Sequence, residues 1–356
     1  MNTKLLVPGT SGCKLILNGN EDIGWPVGLT IKSWLAGNQF FSQVSDPEEL
    51  VSLLSMEYGN NSDSQESWIP TKTTLHEGEL GPGPVIMAPY NQFSDFQKWE
   101  YDWRSDIRRS GQLLLEFLKK NKPEGKRWQL VGHSQGGLVI IVASKLCAAE
   151  NGDDDTAFSK LVSHVALAAC PVYGTINALD AIVNAQNLAP NFKSYFRRIA
   201  VTWPALYQML PYWHGVVEGE EAPDYLLQSS SWEGTDYGID PNMLHRALVT
   251  RREFFNSPIS RMRDVEIGFF MSRTNHTWEN AKREGSEWAL IPKEKGDAPG
   301  EGDTLVPYKK TVEMMGYLEE DRVYAFGEPF SEEIQVHFMI CVSPTVSTAI
   351  LKFLDQ

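Results

Sequence analysis

The stretch that most constrains this chain is WQLVGHSQGGLVIIVASKL, Trp128 to Leu146. Gln129, Leu130 and Val131 read as a short buried strand, and Gly132 to Gly136 as a tight turn. Gly137 onward reads as a helix packed behind them. This is a G-x-S-x-G nucleophile elbow in the strand–turn–helix context the motif requires. So sharp a reversal forces one residue into a strained conformation, and a Cβ on either flank would clash, which suits Gly132 and Gly136. Ser134 takes the apex. The helix behind it begins with unpaired N–H groups and a positive dipole end, both suited to a developing oxyanion.

The rest of the chain fits a sheet built around that turn. Lys4 to Val7 reads as a first strand ending in Pro8-Gly9-Thr10-Ser11-Gly12, a place from which a second oxyanion donor can come. Asp46 to Met56 has helical texture, and residues 59–83 are turn-rich, with one or two edge strands. Pro84 to Pro89 (PVIMAP) reads as a buried strand. Ser105 to Lys120 reads as an amphipathic helix, with Ile107, Leu114, Phe117 and Leu118 at helical spacing. After the elbow helix comes the apolar strand Leu161 to Cys170. Strand and helix thus alternate, and the strands are continuously apolar, which indicates a parallel sheet covered on both faces.

Residues 176–262 break this rhythm with many aromatics. Trp203, Leu206, Tyr207 and Leu210 fall at i, i+3, i+4 and i+7, with Pro204 at an allowed helix start. We read this segment as a cap inserted over the C-terminal ends of the strands, dividing the core into 1–175 and 263–356. Most of its aromatic side chains are expected to pack. Trp203, Tyr207 and Trp213 are the expected lining of an apolar substrate channel. Val265 to Met271 returns to strand, Arg273 to Gly300 is a polar excursion, Arg322 to Phe326 is the last strand, and Pro344 to Leu354 is a closing helix.

A serine hydroxyl needs a base within hydrogen-bond reach, and the base needs an orienting carboxylate. In this architecture the order along the chain is serine, acid, histidine. Of His245, His276 and His337, only His337 follows the last strand, so it is the expected base. The acid candidates are Asp297, Asp303 and Asp321. Asp303 sits in the shaped loop Gly302-Asp303-Thr304-Leu305-Val306-Pro307, whereas the other two lie in polar or acidic runs, and Asp303 is chosen. The N–H of Gln135 and one from the Thr10/Ser11 turn are the expected oxyanion donors.

Other classes of function find no support. The chain has 356 residues and a formal net charge of −14, which disfavours a nucleic-acid partner. No apolar run reaches the roughly 18 to 20 residues of a membrane span. The N-terminal MNTKLLVPGTSG does not read as a signal peptide. Cys13, Cys147, Cys170 and Cys341 are scattered, without zinc or disulfide spacing, so a reducing, cytoplasmic setting is expected. No metal and no cofactor are implied. There is no His-Glu-x-x-His, and the loop after the first strand lacks the G-x-G-x-x-G spacing.

Five blocks together resemble the lecithin:cholesterol acyltransferase-like family of α/β-hydrolases. They are Val7-Pro8-Gly9-Thr10-Ser11-Gly12, Tyr101-Asp102-Trp103-Arg104, Gly132-His133-Ser134-Gln135-Gly136-Gly137, Thr202 to Pro211 (TWPALYQMLP), and Gly302 to Pro307. The resemblance implies an α/β-hydrolase fold, a Ser134–Asp303–His337 triad, the Ser11 N–H as second oxyanion donor, and action on acyl esters such as phospholipids. It implies either hydrolysis or transfer of the acyl group to an alcohol. The secretory signal and lid disulfide of the secreted members are missing. The acid block reads Gly-Asp-Thr-Leu-Val-Pro instead of a Gly-Asp-Gly-Thr-Val-Pro type. Asp102 and Arg104 read as a buried ion pair anchoring a loop, with polar contacts to a substrate head group as the alternative. A binding scaffold that has kept the fold without the catalysis is the reading from another class.

Overall fold

The computed structural model describes residues 3–17, 21–22, 51, 54–60, 66–70, 80–184, 193–291, 300–315, 322–327, 337 and 340–356. Six strands form the central sheet: β1 (Lys4–Val7), β2 (Gln97–Lys98), β3 (Trp128–His133), β4 (Val162–Ala168), β5 (Glu266–Ser272) and β6 (Val323–Phe326). Their spatial order is β6-β5-β4-β3-β1-β2. Every neighbouring pair runs parallel. Past Gln129 in β3 and His164 in β4 the side chains on both faces are buried, which accounts for the apolar runs Leu130–Val131 and Val165–Ala168.

Two helices pack against each other behind the elbow. Helix α1 (Ile107–Lys120) starts at Asp106, whose carboxylate accepts the Arg108 N–H, and it buries Ile107, Leu114, Leu115 and Leu118. Helix α2 (Gln135–Glu150) is apolar on nearly every side and is enclosed accordingly, with Leu138 to Ala143 fully buried. A third helix, α3 (Pro344–Leu354), closes the chain. The elbow helix therefore begins at Gln135, two residues earlier than the sequence suggests.

One strand departs from the sequence reading. The expected strand over Pro84–Pro89 is instead Leu80–Val85, which pairs antiparallel with Cys13–Leu17 outside the central sheet. Pro89 instead opens a short 3-10 turn, Ala88–Phe93. The place beside β1 goes to Gln97–Lys98, two polar residues with no apolar period to reveal them. Most of Asp46–Met56 lies outside the described residues, as do Asp297 and Asp321.

Between β4 and β5 lie Ile176–Val183, Lys193–Ala200, Pro204–Gln208 and Pro241–Thr250, all helical. These helices do not stand apart from the polar excursion that follows β5. The Glu218 N–H donates to Ala281 O (2.8 Å) and the Ala281 N–H to Val216 O (2.8 Å). Trp232 packs on Trp288, whose N–H donates to the Tyr237 hydroxyl. The excursion is thus ordered by the aromatic segment through the antiparallel pair Ala281–Glu284 and Glu287–Leu290.

The loop after β2 is tied down by a buried ion pair. Arg104 Nε and Nη2 donate to the two carboxylate oxygens of Asp102 (3.0 and 2.7 Å). Its Nη1 donates to Leu54 O (3.0 Å), which also receives Trp203 Nε1 (2.8 Å). With every branch of the guanidinium spent inside the protein, this pair is a structural anchor. Removing one member leaves the other charged and buried. Arg104→Ala is therefore expected to lower the unfolding free energy by about 3–5 kcal/mol in denaturant titration. A loss under about 1 kcal/mol would place the pair in water.

Candidate active site

Ser134 stands where β3 turns into α2, with φ 52° and ψ −125°, a left-handed conformation for a residue with a side chain. Such a backbone costs on the order of 1–3 kcal/mol and persists only where neighbours enforce it. Here the Ser134 N–H is held by Ala168 O (2.8 Å), and Ser134 O accepts the Gly137 N–H (2.9 Å). The loop after β1 presses on the same turn. A Cβ on Gly136 would lie 2.2 Å from Val7 O, and one on Gly9 would lie 2.8 Å from Ser134 Cβ. Both glycines are required by contact with neighbouring atoms.

His337 and Asp303 meet Ser134 above the C-terminal end of β3. His337 Nε2 is 2.7 Å from Ser134 Oγ, and His337 Nδ1 is 2.8 Å from Asp303 Oδ2. The Asp303 carboxylate can only accept, so Nδ1 carries the proton and Nε2 presents a lone pair to the serine O–H. The second oxygen, Oδ1, accepts the N–H groups of Leu305 (3.0 Å) and Val306 (2.7 Å). The His337 N–H donates to Asp303 O (2.7 Å), so base and acid are fastened through the main chain as well. Asp303, His337 and Ser134 are 2, 3 and 7% exposed, which shields the relay and leaves the serine the most exposed residue of the three.

The acid loop is shaped by the polar excursion after β5. Gly300–Gly302 pairs antiparallel with Asn275–Thr277, and Thr277 Oγ1 accepts the Thr304 N–H (3.0 Å). Thr304 has φ 83°, a strained value for a β-branched residue. This is the position at which the acid block departs from the Gly-Asp-Gly-Thr type, and the cost of that departure is visible in the backbone. The other two candidate histidines, His245 and His276, are both exposed.

Gln135 follows Ser134 directly, and the turn that carries Ser11 meets the serine at Gly9, where a Cβ would lie 2.8 Å from Ser134 Cβ. Gln135 is the first residue of α2, so its N–H has no acceptor within the helix. Ser11 (φ 60°) is the third residue of a turn closed by the Gly12 N–H to Gly9 O (2.9 Å). Among the described residues the Ser11 N–H donates to no protein group. The Gln135 side chain fixes the spacing, accepting the Thr10 hydroxyl (2.7 Å) and donating to Trp103 O (2.9 Å). The polar groups of the three expected channel residues are committed elsewhere. Trp203 Nε1 bonds Leu54 O, the Tyr207 hydroxyl bonds Val201 O, and Trp213 Nε1 bonds Glu279 O. They are 2, 0 and 2% exposed, so the structure places them in packing contacts and not on an open surface.

Sequence reasoning passed over His133 and Tyr90. His133 Nδ1 is 2.9 Å from the Tyr90 hydroxyl, and His133 Nε2 is 3.1 Å from His337 O. Burial first, and the charge of His337 second, push His133 down to about 3. The one available signal was a histidine flanking the nucleophile, inside a motif that leaves that position open.

No protein-family model and no curated protein matches the chain. Among solved structures, one described as the Tle4-Tli4 complex is similar over 99% of this chain and 98% of that chain, at 13% identity and a TM-score of 0.57. At that identity the likeness concerns the fold alone. Together with the six-stranded parallel sheet flanked by helices, it makes the architecture that of an α/β-hydrolase. Among the described residues no helix is long and apolar enough to cross a membrane.

The depressed His133 carries a consequence for stability. Its folded value, about 3, lies below the ordinary 6.5. Between those limits the unfolded chain takes up a proton that the folded protein refuses, so stability falls as pH falls through that window. Denaturant titrations of wild type and His133→Gln should therefore diverge in slope there, wild type losing up to about 1.4 kcal/mol more per pH unit. Parallel curves would mean that folded His133 takes up its proton as readily as it does in the unfolded chain.

Proposed function

We propose that the protein is a serine hydrolase of acyl esters, acting on a lipid or phospholipid-like substrate through an acyl-enzyme on Ser134. The observation that carries this reading is the continuous chain Ser134 Oγ, His337 Nε2, His337 Nδ1, Asp303 Oδ2, with links of 2.7 and 2.8 Å. Its polarity is set by Asp303, whose fixed carboxylate dictates which imidazole nitrogen can act as base.

In the proposed reaction Ser134 Oγ attacks the ester carbonyl while His337 Nε2 takes its proton. The carbonyl oxygen becomes an anion held by the N–H groups of Gln135 and Ser11. Collapse of this tetrahedral species breaks the bond to the alcohol oxygen, which leaves with the proton from His337. Water then attacks the acyl-enzyme, giving its proton to the same nitrogen, and collapse of the second tetrahedral species breaks the acyl–Oγ bond, the proton on His337 passing to Ser134 Oγ as the acid departs. Asp303 stabilises the imidazolium in both halves without taking the proton. An alcohol in place of water would turn the same steps into acyl transfer. The aromatic segment 176–262 is the proposed cap, and a cytoplasmic setting is proposed from the four buried free thiols.

A fluorophosphonate probe tests the assignment. Wild type is expected to label on Ser134, and Ser134→Ala to lose the label entirely. Asp303→Asn, which frees the imidazole to adopt the wrong tautomer, should keep the fold and lower kcat by about 10⁴-fold on a chromogenic short-chain ester. No labelling of wild type would refute the reading, as would a label that survives on Ser134→Ala.

A further inference from the structure

We propose that His133 and Tyr90 are positioning residues that hold the base and the oxyanion loop in one register, through a hydrogen-bond chain running from Gly9 to the main chain of His337. The proposal rests on the serine-hydrolase reading above, and adds to it two residues outside the triad and the oxyanion donors.

The chain has a single direction. His337 O can only accept, so His133 Nε2 must carry the imidazole proton (3.1 Å). His133 Nδ1 then has a lone pair, and the Tyr90 hydroxyl donates to it (2.9 Å). That leaves the Tyr90 oxygen to accept the Gly9 N–H (3.1 Å). Each donor finds one acceptor, and every group between is buried, Tyr90 at 1% and His133 at 3% exposure. No water is needed to complete the chain. Burial drives Tyr90 well above its usual range and His133 well below, so both stay neutral, the only protonation state in which all three links form.

What the chain connects gives it its role. At one end is the peptide between Pro8 and Gly9, gripped on its other side by the Tyr101 hydroxyl, which donates to Pro8 O (2.9 Å). Two residues later comes Ser11, the proposed oxyanion donor. At the other end is the carbonyl of the base itself. The imidazole of His133 lies beside that of His337, with ring centroids 5.1 Å apart. The Tyr90 hydroxyl nests under the oxyanion loop so closely that a Cβ on Gly12 would lie 3.1 Å from it. Three segments far apart in sequence, at residues 9, 133 and 337, are thereby set at fixed spacing around Ser134. A misplacement of about 1 Å at such a site can cost about 100-fold in rate. His133 touches no reacting atom; it acts through the residues at both of its ends.

Tyr90→Phe removes the middle of the chain while keeping the ring. His133→Gln retains a donor that can reach His337 O but loses the aromatic Nδ1. Turnover of a chromogenic short-chain ester is measured per fluorophosphonate-titrated site, so that misfolded protein is not counted. Tyr90→Phe is expected to lower kcat per site about tenfold, the equivalent of one lost hydrogen bond, with KM within about twofold of wild type. In Tyr90→Phe/His133→Gln the two losses should combine to clearly less than their product, because both variants interrupt one chain. Turnover per site within about twofold of wild type in Tyr90→Phe would overturn the proposal, as would losses that simply multiply. These outcomes are separate from a failure of the underlying reading, in which wild type itself would not label.

Discussion

The architecture depends on an approach between backbones that side chains would forbid. The peptide after β1 lies against the first turn of α2 with Val7 O only 2.2 Å from where a Gly136 Cβ would stand. That proximity brings the turn that carries Ser11 against the start of the helix that carries the Gln135 amide. It also forces Ser134 into its left-handed backbone, since the turn has nowhere else to go. The strain is sustained by the apolar sandwich around it, in which β3 and α2 are buried almost without interruption. A large, dry core holds a small, strained turn in place.

Polar groups in this dry region are handled by exact pairing. The Asp303 carboxylate receives three N–H donors, two from its own loop and one from His337. Arg104 is matched to Asp102 and to the Leu54 carbonyl. His133 stays uncharged beside His337, so no second cation competes when the base takes up a proton. Each arrangement answers the same requirement, that a buried polar group without a partner costs more than the bond it replaces yields. The cost that remains visible is conformational, at Ser134 and Thr304.

Much of this was legible in the sequence, and the limits of legibility have physical reasons. The elbow could be read because its strand, glycines and helix are contiguous, so one stretch of chain carries both motif and context. Asp303 and His337 followed from chain order, since the fold presents its loops at one edge of the sheet in sequence. The PVIMAP run misled because its apolar composition fits a core strand as well as the strand end, loop and 3-10 turn among which it is divided, and the strand that does pair with β1, Gln97–Lys98, is too short and polar to show a period. Trp203 and Tyr207 show the limit of a helical aromatic stripe, which marks burial without saying against what, and Trp213, beyond the stripe, is buried as well. The Gly9–Tyr90–His133–His337 chain lay beyond reach altogether, since its links span 81, 43 and 204 residues and obey no local spacing.

The central claim is that the hydroxyl at the elbow becomes, transiently, an ester. It can be measured by mixing the protein with a chromogenic ester, quenching in acid within the first turnovers, and weighing the intact chain and its peptides. The expected result is a mass increase equal to the acyl group, confined to the peptide that contains Ser134, rising with the burst of released alcohol and decaying as substrate is exhausted. Steady turnover with no acylated chain at any quench time, or an acyl group on a different peptide, would contradict it.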